Sequence, residues 1–231
     1  MWVSHRGGSP DEPPTPEQLR EWQEWHRRMS PPENEFPAAV GNSFLLGRTD
    51  DAAVGITQIA AFSTGFQFTL AVRLRQVRPE LAHGRLFMLI SSHAHPGVEI
   101  SLEDRLLLGL EYADGQRAST LQDIRMLGPT AMPGDEQLVL VQQGGGGGEN
   151  NVEQTYWVAP LPPEGPVTFV LAWPAFGMPE SRTVLDGAAI RAAADRSQRL
   201  WAPQPAVEAP EPPSRPRPSS GWFADPDGSA T

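Results

Sequence analysis

The sequence predicts a mainly β protein: an antiparallel β-sandwich or small barrel, with an N-terminal amphipathic helix and one C-terminal helix packed on it. Three observations carry this expectation. Residues 66–75 alternate without a break between large apolar residues and polar or small ones. The later apolar stretches are separated by turn residues and not by helical segments, whereas parallel strands need long crossovers between them. Of the 25 prolines, seven lie in residues 1–37 and eight in residues 202–231, which confines the packed domain to residues 36–201.

The clearest strand is GFQFTLAVRLR. Phe66, Phe68, Leu70, Val72 and Leu74 fall on one face, and Gln67, Thr69, Ala71, Arg73 and Arg75 on the other. VGITQIAAF before it is a weaker strand, and NSFLLGRT starts the sheet. In LLLGLEYADGQRASTLQDI, Leu106, Leu108, Leu110 and Tyr112 share a face, and Asp114-Gly115 signals a tight turn into another strand. QLVLVQQ and NVEQTYWVAPL follow. In the second of these Val152, Gln154, Tyr156 and Val158 lie opposite Thr155 and Trp157. VTFVLAWP alternates through Val167, Phe169, Leu171 and Trp173, bringing the expected total to about eight or nine strands.

Between two of these strands runs Gly144–Gly148. A phosphate-cradling loop needs a helix behind it and usually a lysine. Here a second strand follows, and the chain contains no lysine. The run therefore reads as the long, mobile tip of a hairpin.

The flanks differ from the middle. Residues 1–35 read as a mostly disordered arm carrying a helix over about 15–29. Thr15 is its N-cap, Pro16 suits the first helical position, and Gln18 completes a capping box. Leu19, Trp22, His26 and Met29 recur at helical spacing with Trp25 beside them, and Pro31-Pro32 stop the helix. A helix this short is marginal alone. Its stripe of Leu19, Trp22, Trp25 and Met29 must dock, either on its own core or on a partner protein. At the other end, DGAAIRAAADRSQRLW predicts a helix capped by Asp186, with Ile190, Ala194, Ser197 and Trp201 on one side. Residues 202–231 are proline-rich and read as a disordered spacer ending in GWFADPDG, where Trp222 and Phe223 are further candidates for partner contact.

Composition removes several functions. Net charge is −10, and the acidic excess is spread over the domain and its flanks alike, so no nucleic-acid partner is expected. The one basic cluster is AVRLRQVRPELAHGR, with Arg73, Arg75, Arg78 and Arg85, read as the solvated face of an edge strand. The chain has no cysteine, which excludes thiol nucleophiles, thiolate metal sites and disulfides. Without lysine there is no Schiff-base or kinase-type lysine chemistry. No apolar run approaches a membrane span and no leader segment is visible, so a cytoplasmic protein without membrane insertion is expected.

The segments TDDAAVGITQI, TGFQFTLAVRLR, LGLEYADGQRAST and YWVAPLPPEGPVTFVLAWPAFG, with the helix after them, resemble a family of uncharacterised proteins of high-GC bacteria. The first two are also similar to the opening strands of immunoglobulin-like extracytoplasmic modules. The resemblance implies an immunoglobulin-like sandwich and no catalytic residues. GWFADPDG resembles the start of a short tryptophan-rich domain of bacteria of the same group.

The strongest catalytic-looking feature is SSHAHPGVEISLED. Its HxHxxxE spacing over His93, His95 and Glu99 resembles the first metal motif of cupin barrels, which implies a divalent metal with His83 as a further nitrogen ligand. Cupins bring another histidine from a later strand, and here none follows His95. Glycines that flank the cupin motif are replaced by Phe87 and Leu106. Loop histidines with no metal and no cofactor are therefore the favoured reading. No GxSxG elbow occurs. Asp50-Asp51, Glu103-Asp104 and Asp135-Glu136 are sequence neighbours, and strand neighbours point to opposite faces, so none forms a carboxylate dyad. The aromatic residues Tyr156, Trp157, Trp173 and Phe176 read as core.

The expected function is thus a non-catalytic protein-interaction or scaffold module with an unknown protein partner. A cupin-like metalloprotein using His93, His95 and Glu99 is the alternative, and edge-strand pairing into a homo-oligomer is a third.

Overall fold

A computed structural model describes residues 15–41, 43–81, 84–91, 100–121, 134 and 136–202. Helix α1, Pro16–Met29, comes first, and the Thr15/Gln18 capping box forms in both directions. Five strands follow: β1 (Glu35–Phe36), β2 (Ala38–Ala39), β3 (Phe44–Arg48), β4 (Ala52–Phe62) and β5 (Gly65–Leu74). Helix α2 (Arg85–Ile90) precedes β6 (Leu107–Tyr112), β7 (Arg117–Ser119), β8 (Val139–Gly147), β9 (Asn151–Ala159), β10 (Pro166–Trp173) and β11 (Met178–Asp186). Helix α3 (Gly187–Ala194) and β12 (Gln198–Arg199) end the described chain.

The strands form antiparallel sheets. One has the order β2-β4-β5-β9-β8, with β3 also paired to β4; the other has the order β11-β10-β6-β7; β1 and β12 make a two-stranded ribbon. No closed barrel forms among the described residues. The alternation read from β5 and β9 sets the register. Phe68 pairs with Tyr156 and Leu70 with Gln154, all facing inward. Val167, Phe169, Leu171 and Trp173 of β10 come from the second sheet into the same core. Phe169 meets the edge of Phe68 with ring centroids 5.3 Å apart, and Phe68 stacks on Tyr156. Burial raises the pKa of the Tyr156 hydroxyl, and that of Tyr112 with a smaller push from Asp114, so both rings stay neutral. Leu86, Leu89 and Ile90 of α2 and Ile190 and Ala193 of α3 join the core.

The larger sheet is covered on its outer face as well, over part of its length. Trp157, Val139, Val141, Ala60, Phe62 and Ala159 form a second apolar cluster, and α1 closes it with Trp25 and Met29. The Trp157 indole N–H donates to the Arg28 carbonyl at 2.8 Å, and the Gln143 amide donates to the Met29 carbonyl at 2.6 Å. Burying a large side chain of this kind contributes about 1.5–3 kcal/mol, enough to hold a helix that is marginal alone.

Four features depart from the sequence expectations. The glycine run is strand and not hairpin tip: β8 continues through Gly147, which pairs with Val152, and the turn falls on residues 148–150. Arg73 is not on an edge strand, because β5 lies between β4 and β9. The predicted C-terminal helix stops at Ala194; Asp186 does cap it, accepting from the Ala188 N–H at 2.9 Å, but Trp201 is exposed beyond β12. Strand β11 and helix α2 carry no clear periodic signal, since β11 is largely exposed and α2 is apolar after Arg85.

The glycines in β8 are not equivalent. A Cβ on Gly145 would overlap the Gln154 side-chain oxygen and the Glu153 carbonyl, and one on Gly147 would overlap the Asn151 carbonyl. Gly144 and Gly146 face open space. Gly145→Ala and Gly147→Ala should each destabilise by about 1–3 kcal/mol. Gly144→Ala and Gly146→Ala should instead stabilise by about 0.4–1 kcal/mol, through the unfolded chain. Urea midpoints of the four variants check this; four equal midpoints would mean that these glycines do not lie in a paired strand.

Candidate functional site

The expected contact stripe of α1 is turned toward its own sheet. Trp25 and Met29 are buried and Trp22 is half-buried at the rim of the same cluster; Leu19 lies in α1 as well. Trp25 meets Trp22 edge-on at 5.6 Å between ring centroids and His26 at 5.0 Å. His26 Nδ1 sits 2.8 Å from the Trp22 carbonyl. Among the described residues the buried Trp25 indole nitrogen has no hydrogen-bond partner. His83, His93, His95 and Glu99, the metal alternative, lie outside the described residues, as do Trp222 and Phe223. Among the described residues no group of three or more His, Asp or Glu side chains converges to hold a metal ion.

The acidic neighbours are engaged one by one. Asp51 accepts from Arg78 at 2.9 Å, and the Asp104 carboxylate accepts from the Ser101 hydroxyl at 2.9 Å. Asp135 lies outside the described residues. The four aromatic residues divide between layers. Tyr156 and Trp173 are in the main core, Trp157 is under α1, and Phe176 packs against Trp173 with Arg78 4.4 Å above its ring.

A buried polar cluster was missed in the sequence reading. Gln142 of β8, opposite Tyr156, and Gln154 of β9, opposite Gly145, both face inward and are almost completely buried. The Gln142 amide donates to Gln154 Oε1 at 3.0 Å and lies 3.4 Å from the Ser91 hydroxyl, itself buried after α2. Among the described residues Gln154 Nε2 is buried with no hydrogen-bond partner. The sequence signal was present, since both glutamines interrupt otherwise apolar inward faces. A buried amide without a partner carries a real cost.

A second feature lies on the outer face of the larger sheet, beyond the part under α1. Two adjoining concavities of about 350 and 320 Å³ share Leu45, Ala53 and Arg73. Arg48, Arg75, Asp50 and Asp51 line the first, and Phe44, Gly55, Thr57 and Ala71 line the second. Both are open troughs and not enclosed cavities. Arg73 pairs with Glu153 across β5 and β9, and Arg75 donates to the Asp50 carbonyl at 3.5 Å.

A third feature is the β1–β12 ribbon. Glu35 points inward, where its carboxylate accepts from the Ser63 N–H at 3.0 Å and the Ser63 hydroxyl at 2.6 Å, gripping the β4–β5 turn. Arg199, paired with Glu35 in register, approaches it at 3.8 Å. Neighbouring strand residues face opposite ways. Phe36 therefore points outward and is 61% exposed, and Trp201 just past the ribbon is 56% exposed. The Asn34 side chain donates to the Trp201 carbonyl at 2.8 Å, so both ends of the described domain are tied together here.

Comparison with family models, curated proteins and solved structures finds no match to this chain.

The glutamine pair gives a direct test of how the core is built. Gln154→Met leaves the Gln142 amide without that acceptor and should cost about 1–3 kcal/mol. Gln142→Met/Gln154→Met removes both amides and should recover most of that loss. Chemical denaturation of the two variants reads the difference; a double variant less stable than the single one would show that the amides contribute net stability.

Proposed function

We propose that the protein is a non-catalytic interaction module built on an immunoglobulin-like β-sandwich, whose flanking segments serve as adapters to a protein partner. The observation that carries this reading is a pair of exposed aromatic side chains at the β1–β12 ribbon. Phe36 and Trp201 stand in solvent at the point where the N-terminal arm enters the domain and the proline-rich segment leaves it. Solitary exposed apolar residues are ordinary. Two exposed aromatic side chains, Phe36 in the ribbon and Trp201 just past it, with the partly exposed Leu200 beside Trp201, match the aromatic anchors that dominate protein interfaces. The two antiparallel sheets with one shared core support the sandwich reading.

Affinity capture with the full chain and with Phe36→Ser/Trp201→Ser tests the proposal. The double variant should keep the parent melting temperature, because both side chains are largely exposed. It should lose at least tenfold in recovery of whatever the parent chain retains. Equal recovery by the two chains would sink the ribbon as the contact surface and, with it, the adapter reading.

A further inference from the structure

We propose that the open trough on the outer face of the larger sheet docks an extended, acidic peptide segment of a partner protein, read as acid–any–apolar. The inference deepens the interaction-module reading and rests on it.

The strand register builds the trough in two rows. In the first, Arg48 of β3, Ala53 of β4 and Arg73 of β5 lie side by side. The two arginine-bearing strands are separated by one small residue, and both arginines line the first concavity. In the second row Leu45, Gly55 and Ala71 lie side by side, so the floor is again small and one wall is apolar. Leu45 is 58% exposed, although it borders this floor. Ala53 and Gly55 are two residues apart on β4, roughly 6.6 Å. That is also the spacing of side chains i and i+2 on an extended peptide. A carboxylate between Arg48 and Arg73 thus places the second following side chain on Gly55 and Ala71, against Leu45.

Charge selects the ligand. The chain carries a net −10, yet three arginines line the first concavity. Among the described residues Arg48 has no acidic partner. Arg73 is held by Glu153, but both side chains are about half exposed, at 49% and 52%, so an incoming carboxylate competes with a solvated pair. Of the two acids at the loop end, Asp51 is already engaged by Arg78, while Asp50 is exposed and limits the site to one carboxylate at that end. Arginine forks suit carboxylates geometrically. The overall negative charge opposes a polyphosphate chain. A small molecule needs a site that encloses most of its surface, and these troughs are open, whereas peptide side chains need only alternate shallow pockets.

The test is a titration of the full-length, ¹⁵N-labelled chain with the acetylated hexapeptide Glu-Thr-Leu-Glu-Thr-Leu up to millimolar concentration. Amide shifts are expected at Arg48, Ala53, Gly55, Ala71 and Arg73. Arg48→Glu/Arg73→Glu should weaken the apparent Kd at least tenfold, and Lys-Thr-Leu-Lys-Thr-Leu should bind the parent chain at least tenfold more weakly. Unchanged amide positions elsewhere in the spectrum show that the double variant is folded. Silence at these five amides, equal shifts from the lysine peptide, or shifts indifferent to the double substitution would each overturn the docking site. That failure is separable from failure of the interaction-module reading, because the ribbon variants report on the latter without touching the trough.

Discussion

The structure depends on one strand serving two cores at once. On β9, Tyr156 and Trp157 are neighbours in sequence and point to opposite faces. Tyr156 stacks on Phe68 between the sheets, and Trp157 packs under α1 against Phe62. A slip of one residue would exchange them, sending Glu153, Thr155 and Trp157 inward. Apolar residues on both sides of β9 therefore hold its register more firmly than a one-sided strand could. Gly65 reflects how tightly this region is packed, since a Cβ there would fall within 2.7–2.8 Å of the Trp157 ring.

The same arrangement explains why the outer face is divided. Its apolar rows lie at the end that holds Phe62, Val141 and Trp157, and there α1 finds its seat. At the other end the outward residues become Thr69, Ala71 and Arg73 on β5 and Glu153 and Thr155 on β9. These rows give a helix nothing large and apolar to cover. They leave small floors between arginines instead, and the trough is a consequence of where the apolar pattern on the outer face stops.

Most of this organisation was legible wherever one strand carried its own alternation. Phe66–Leu74, Val152–Val158, Leu106–Tyr112 and Val167–Trp173 all turn the faces that their spacing implies. The caps at Thr15 and Asp186 and the turn at Asp114-Gly115 were also readable, because each rests on residues within one turn of the chain. In that turn the Gln116 backbone N–H donates to Asp114, and this bond is the main cause of its lowered pKa. What stayed illegible depends on distant partners. Glu35–Phe36 and Gln198–Arg199 are each two residues long, and only their pairing makes a ribbon. Four glycines of β8 have no propensity for strand, yet β9 supplies the ladder that holds them. Arg48 and Arg73 become neighbours only through β4. The same holds for the candidate sites: both arginines and both glutamines were visible as residues, and neither grouping was visible as a place.

Helix α1 is part of the fold, seated on β9 through Trp157. Hydrogen exchange at the Trp157 indole, followed by NMR on the full chain, tests it most directly. Exchange as slow as that of the β9 backbone amides is expected, with a nuclear Overhauser contact between the indole proton and the Arg28–Met29 segment. An indole that exchanges at the rate of free tryptophan while β9 stays protected would place α1 off the sheet.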